Sequence, residues 1–388
     1  MNDIRRTILW VIFGFSMVLL WDQWQIYNGH KPTFFPTPPK VESTAPTAAG
    51  ATPAANGSSV PAAAPVAGQV TSVPGSAQAN TAVPRELIEV RTDVLKLSFD
   101  SEGASLVRTE FLKHEDAHRQ GANVVLLDES KERVYLAQTG LIAGPAGGHF
   151  PTHKTAMRVL AGERTLKDGQ DSMSLQFESL AVDGVKLLKT YTFKRGAYDM
   201  GVKHEVVNGS NAPVAPQLYL QLVRDGNKPE GESSFYSTFT GPAVYTGAKK
   251  YQKFEFTDIE KGKAEFEKQS NDGYIAMVQH YFASAWLLPD NLRRDLFARK
   301  VDQNLFAVGM IVPLEPIAPG AKKEVQASFF AGPQEEKKLE ALYPGLELVK
   351  DYGWLTILAK PLYWLLDKLN GYLHNWGWSI VALVVLLK

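Results

Sequence analysis

Residues 185–206 read VKLLKTYTFKRGAYDMGVKHEV. Apolar residues recur with a period of two on both sides of Lys194-Arg195-Gly196-Ala197. Period two is the strand period, because successive side chains of an extended chain point to opposite faces. The basic, Gly-containing break between the two runs supplies a turn. Val185–Phe193 and Tyr198–Val206 therefore predict a β-hairpin, and the rest of the fold is read outward from it.

The same texture continues in both directions. Ile88, Val90, Thr92 and Val94 alternate with polar neighbours, and Leu95, Leu97 and Phe99 carry the alternation on the other phase. Comparable runs lie at 174–180, 217–223 and 325–330. Turn signals separate them, among them Asp168-Gly169, Asp183-Gly184, Asn208-Gly209, Asp225-Gly226 and Pro319-Gly320. Many short strands with regular Gly and Asx turns predict a mostly β fold, a large antiparallel β-sandwich over 85–332. No unit of 20 to 50 residues repeats, which argues against a propeller or solenoid. After Gly332-Pro333, Glu335 and Glu336 open a short helix that Pro344-Gly345 stops, so 333–350 is read as a linking helical segment.

Composition narrows the function. The 388 residues carry 41 Lys+Arg against 41 Asp+Glu. A balanced charge argues against nucleic acid as a partner, since phosphate binding needs a basic surplus on one face. Cysteine is absent, which excludes disulfides, thiolate metal sites and a cysteine nucleophile. Residues 1–28 open with Arg5 and Arg6 ahead of an apolar run from Ile8 to Trp21, then Trp24 and Tyr27. A cleaved signal peptide starts in the same way, but no small-x-small site follows the run. An uncleaved transmembrane anchor is the preferred reading, with Arg5 and Arg6 cytoplasmic and the following chain outside. Residues 29–84 are Ala, Pro, Thr, Ser and Gly with almost no large apolar side chain after Phe35, the composition of a flexible tether.

Few motifs carry chemistry. His114-Glu115-Asp116-Ala117-His118 spells the H-E-x-x-H of zinc metalloproteases, which needs both histidines on one face of a helix. Here a strand-like run precedes it and Gly121 follows, so a polar hairpin loop is expected and no metal is assigned. Gly144-Pro145-Ala146-Gly147-Gly148 lacks the ending of a P-loop and reads as a turn. Phe235, Tyr236, Phe239, Tyr245, Tyr251, Phe254 and Phe256 suit core packing as well as a sugar-binding cleft. No cofactor is signalled.

The C-terminal stretch, 351–388, reads DYGWLTILAKPLYWLLDKLNGYLHNWGWSIVALVVLLK. Over 351–374 Trp354, Leu355, Leu358, Leu362, Leu365 and Leu369 are spaced as one amphipathic helix, with further Trp and Tyr interleaved. That is the pattern of a helix lying in a membrane interface. From Trp376 the chain is almost wholly apolar up to Lys388, as in the start of a second transmembrane helix over 375–388. Twelve residues cover about 18 Å, short of a ~30 Å hydrocarbon core. Lys388 is then either an intramembrane charge, which marks function, or a lysine snorkelling at the far interface.

Thr92-Asp-Val-Leu95, Tyr191-Thr-Phe-Lys-Arg-Gly-Ala-Tyr198, 273–286, Asp351-Tyr-Gly-Trp354 and Asn375-Trp-Gly-Trp-Ser-Ile380, in this order behind an anchor and a tether, are together specific. The chain resembles the YidC/Oxa/Alb family of membrane protein insertases, in its Gram-negative form. The resemblance implies a periplasmic β-supersandwich flanked by transmembrane helices, in the bacterial inner membrane. It implies a non-enzymatic insertase and chaperone for nascent inner-membrane proteins, working with and without the Sec translocon and its accessory subunits, with ribosome contacts made by parts beyond this chain. Lys388 matches the family's groove charge, usually arginine; lysine keeps the charge and loses the planar fork. The family's core continues past this point with a cytoplasmic hairpin and more spans, so a chain ending at Lys388 is expected to lack insertion activity. A tethered carbohydrate-binding or mutarotase-like sandwich is the alternative function, and a zinc protease through His114, Glu115 and His118 a remote one.

Overall fold

The hairpin at 185–206 forms as two long strands paired residue for residue, from Met200 opposite Phe193 to Asn208 opposite Val185. The computed structural model describes residues 60–61, 85–160, 162–229, 239–350 and 356–388. The expected anchor, the tether apart from Val60 and Pro61, and Phe235, Tyr236, Trp354 and Leu355 lie outside the described residues.

The strands in chain order are β1 Leu87–Arg91, β2 Leu95–Asp100, β3 Ser105–Glu115, β4 Asn123–Val125, β5 Asp128–Glu129, β6 Val134–Ile142, β7 Met157–Val159, β8 Ser172–Ser179, β9 Val185–Lys194 and β10 Asp199–Asn208. They continue with β11 Gln217–Asp225, β12 Gly241–Thr246, β13 Lys250–Lys253, β14 Gln269–Ser270, β15 Tyr274–Gln279, β16 Phe282–Leu287, β17 Arg294–Asp302, β18 Leu305–Pro313 and β19 Lys322–Pro333. One sheet runs β1-β2-β3-β6-β11-β18-β17-β14, with β4 beside β3 and β5 beside β6. The other runs β13-β12-β15-β16-β19-β10-β9-β8-β7. The pairings within both are antiparallel, as the hairpin texture predicts.

The inward side chains of the two sheets make the core. Phe99 of β2 meets Tyr191 of β9 across the sandwich, with ring centroids 4.6 Å apart. Phe111 of β3 stacks on Phe282 of β16 at 5.0 Å. Trp286 is fully buried beside Phe329. Rings of this size dominate core energetics, and losing one costs about 3–5 kcal/mol.

Two boundaries differ from the sequence reading. The phase change after Thr92 is a turn between β1 and β2: the Thr92 hydroxyl accepts from the Val94 and Leu95 amides at 3.2 and 2.9 Å. The local bond replaces ladder bonds and lets the chain reverse. The linking helix begins at Glu336, not at Pro333. Gly332 and Pro333 complete β19 against Ala283 and Phe282. Proline fits a strand end because its missing N–H interrupts no ladder there. Leu342 ends the helix as expected, and a 3-10 turn at Leu346–Val349 follows.

Candidate membrane interface

Two helices follow the sandwich, Thr356–Leu373 and Trp376–Leu387. Pro361 stands inside the first, where it removes one intrahelical donor. Leu362, Leu365 and Leu369 share a helix face and are half-buried. Trp364 and Tyr372 are 61% and 84% exposed. The leucine stripe expected at the membrane is thus partly covered by protein, while aromatic side chains stand open. Leu358 lies in the same helix, but its side chain is outside the described residues.

The helix is tied back to the sandwich's linking segment by polar contacts. Lys337 Nζ lies 2.9 Å from the Asp367 carboxylate. Lys350 Nζ sits 4.2 Å from the centre of the Tyr363 ring and 3.7 Å from Glu336. Composition alone did not reveal these ties, because their partners are 13 to 30 residues apart.

A sharp corner links the helices. His374 takes a left-handed φ of 49°. Asn375 then caps the second helix, its side chain accepting from the Trp378 amide at 3.2 Å, and the Ser379 hydroxyl donates to the Asn375 carbonyl at 2.7 Å. Asparagine is favoured there because its oxygen satisfies an orphan helix amide. Beyond the cap, Trp376, Trp378, Ile380, Val381, Val384 and Val385 are exposed, with Leu386 and Leu387. Large aliphatic side chains standing open along one helix mark a surface meant for an apolar medium. Among the described residues no helix is long and apolar enough to cross a membrane. Lys388 is exposed at the C-terminal end of this apolar helix, where a cation complements the helix dipole.

The other candidates fall away on geometry. His114 and Glu115 end strand β3, and the two histidines share no helix. His114, in that strand, is half-buried in an aromatic box of Phe111, Tyr198 and Phe282, which corrects the expectation of a polar hairpin loop there. Burial there lowers its pKa. The Gly144–Gly148 stretch is a turn, closed by the Gly147 amide on the Gly144 carbonyl at 3.0 Å. Phe254 and Phe256 are buried in the core, and Phe239, Tyr245 and Tyr251 pack partly against it.

Sequence reading missed a polar cluster between the sheets. Lys189 of β9 is fully buried and donates to the Gly103 and Thr139 carbonyls at 2.6 and 2.8 Å. Burial brings its pKa down to about 7. His204 of β10 bonds the Thr139 hydroxyl at 2.9 Å, and its pKa falls to about 3 through burial and the Lys189 charge. On the opposite, outer face of the first sheet, His153 Nδ1 lies 2.6 Å from the Tyr219 hydroxyl, and burial takes its pKa to about 3 as well. Lys189 and His204 pin one sheet to the other. The signal was available: both occupy the apolar phase of the hairpin.

Comparison with known proteins follows from this geometry. Residues 87–365 match the family model of the YidC periplasmic domain. The membrane protein insertase YidC of Cupriavidus metallidurans is 49% identical over 386 residues, covering 100% of this chain and 68% of that protein. The chain belongs to the YidC insertase family. The insertase YidC of Ralstonia nicotianae is also 49% identical, over 100% of this chain and 68% of its own length, and that of Janthinobacterium sp. is 46% identical over 100% and 67%. YidC membership makes the sandwich a periplasmic domain and the protein one of the inner membrane. It also favours the insertase over the carbohydrate-binding alternative. Among solved structures, a galactose mutarotase related enzyme from Lactobacillus acidophilus is 11% identical with a TM-score of 0.41, over 64% of this chain and 97% of that one. A putative aldose 1-epimerase from Escherichia coli gives 10% and 0.38, over 64% and 99%. Likeness at that level carries nothing about function.

Proposed function

We propose that this chain supplies the periplasmic and membrane-entry part of an insertase that passes hydrophobic segments of nascent inner-membrane proteins sideways into lipid. The observation that carries the reading is the corner at His374. An interfacial helix with open Trp and Tyr side chains turns there into a helix whose aliphatic side chains are exposed. The work is burial of substrate apolar surface in the bilayer, so the proposal invokes neither nucleotide nor covalent step. The finer organisation belongs to the same proposal: anchor 1–28, tether 29–84, sandwich 85–332, linker 333–350, interfacial helix 351–374 and transmembrane start 375–388.

Lys388 is the proposed groove charge, a polar stop for acidic or hydrophilic parts of an incoming helix. A charge held in a wet groove within the membrane attracts opposite charge strongly, because surrounding lipid screens little. The sandwich and linking helix are the proposed contact for accessory subunits of the Sec translocon. Ribosome contacts are assigned to parts of the protein beyond this chain.

The test is growth and membrane insertion in cells depleted of their own insertase, using the complete protein. Restored insertion is expected. Lys388→Ala should impair insertion of single-span substrates and Lys388→Arg should not; identical behaviour of the two variants refutes the charge role.

A further inference from the structure

An outer sheet face ordinarily meets water, yet β11 is buried at every one of its nine residues. Its side chains alternate between two clusters. Leu218, Leu220 and Leu222 join the sandwich core. Tyr219, between them, belongs to a separate cluster with Ile142 and Ile311. These three lie on neighbouring strands of the same sheet and face outward.

Glycines shape this face. Gly140 stands opposite Tyr219, and a Cβ there would come within 2.6 Å of the tyrosine hydroxyl. Gly309 stands opposite Phe297, and a Cβ there would collide with its ring. Lacking side chains, the two glycines let both aromatic rings lie over neighbouring strands, which makes an apolar floor rather than a row of upright side chains. The Tyr219 hydroxyl is held from beside the floor by the His153 amide at 2.8 Å.

The floor is occupied. Val60 and Phe297 pack against the cluster of Ile142, Tyr219 and Ile311, and Pro61 next to Val60 is buried. Pro61 is 26 residues ahead of Leu87, where β1 begins. The chain bends at Val60, and a residue before proline has few backbone conformations open to it, so Val-Pro presents an apolar pair at little further conformational cost. The chain repeats the pair at Val73-Pro74 and Val83-Pro84.

We propose that the outward face of the first sheet is a docking groove for a Val-Pro pair, and that Val60–Pro61 is its resident occupant. Docking attaches the N-terminal segment to the sandwich well before β1, so the segment meets the domain at two points instead of one. The proposal does not depend on the insertase reading.

The test uses the full chain in detergent, whose lack of cysteine allows single thiols to be placed at will. Val60→Cys should react with a maleimide about tenfold more slowly than a control Ser76→Cys, the factor that corresponds to ~1.4 kcal/mol of docking. An excess of the peptide Ser-Ser-Val-Pro-Ala-Ala should bring it to the control rate. Equal rates without peptide, or no effect of peptide, overturn the proposal. So does slow reaction at Val73→Cys with fast reaction at Val60→Cys, which would make the other pair the occupant. Because Val60→Cys itself trims the occupant, a second variant reads the groove: Ile142→Cys should react several-fold faster once Pro61→Asp is added, and an unchanged rate overturns the proposal.

Discussion

The sandwich and the helix Trp376–Leu387 are inverted with respect to each other. The sandwich buries Lys189, His153, His204, Arg224 and Arg294 along with its leucines, and gives Lys189, both histidines and Arg294 hydrogen-bond partners. Arg294 alone donates to the carbonyls of Gly273, Asn271 and Pro289, among others. The helix buries only Ser379 and leaves tryptophans, valines and leucines in the open. One chain therefore follows two burial rules. The sandwich is built for water, where an apolar surface must be hidden and a buried polar group must be bonded. The helix does the reverse: its serine is hidden and bonded to the backbone and its aliphatic side chains face out, the arrangement an apolar solvent favours.

The contrast can be broken at each end. The largest effect is expected from Phe99→Ala, which should lower sandwich stability by about 4 kcal/mol in a urea titration. Partition of the C-terminal helices into lipid vesicles should not change. The converse variant is Val381→Asp. It should weaken vesicle partition by about 3 kcal/mol, the cost of an aspartate near the centre of an apolar helix. Sandwich stability should stay the same. Coupled losses in either case would show that the regions are not separate.

Lys189 tests whether the buried charge belongs to the sandwich's logic. Its unfolded pKa is near 10.5 and its folded one about 7. Between these values the unfolded chain binds more protons, so stability rises as pH rises from 7 towards 10.5. Urea titrations at pH 7 and 9.5 should show that rise, and Lys189→Met should flatten it. His153 and His204 predict a second slope. Neutral when buried, they favour the unfolded chain as pH falls from about 6.5 towards 3. The smallest effect is expected from Asp367→Ala. It removes an exposed ion pair with Lys337, which salt and water already weaken, so its loss should show mainly as faster amide exchange in the helix Thr356–Leu373 at low salt.

Much of this was legible in the residues. The hairpin at Val185–Asn208, the antiparallel sandwich, the helix over Thr356–Leu373 and the apolar run after Trp376 all follow from period and composition. Period fails at Thr92, because a single hydroxyl accepting two amides turns what looks like one run into two strands. Proline placement misled at Pro333, since both a helix start and a strand end tolerate a missing N–H. Lys189 and His204 stood on the inward phase of the opening stretch, but alternation tells only that a side chain points in. Whether it meets a partner there depends on the facing sheet.

Local order along the chain thus determined which segments are strands and which are helices, because those preferences act between residues close in sequence. Tertiary structure alone decided that Thr139 and Gly103 would receive the Lys189 ammonium, that Lys337 would reach Asp367, and that Val60 would settle beside Tyr219. Those contacts join residues from 30 to 159 positions apart. Distance in space, which no local pattern encodes, is what brings them together.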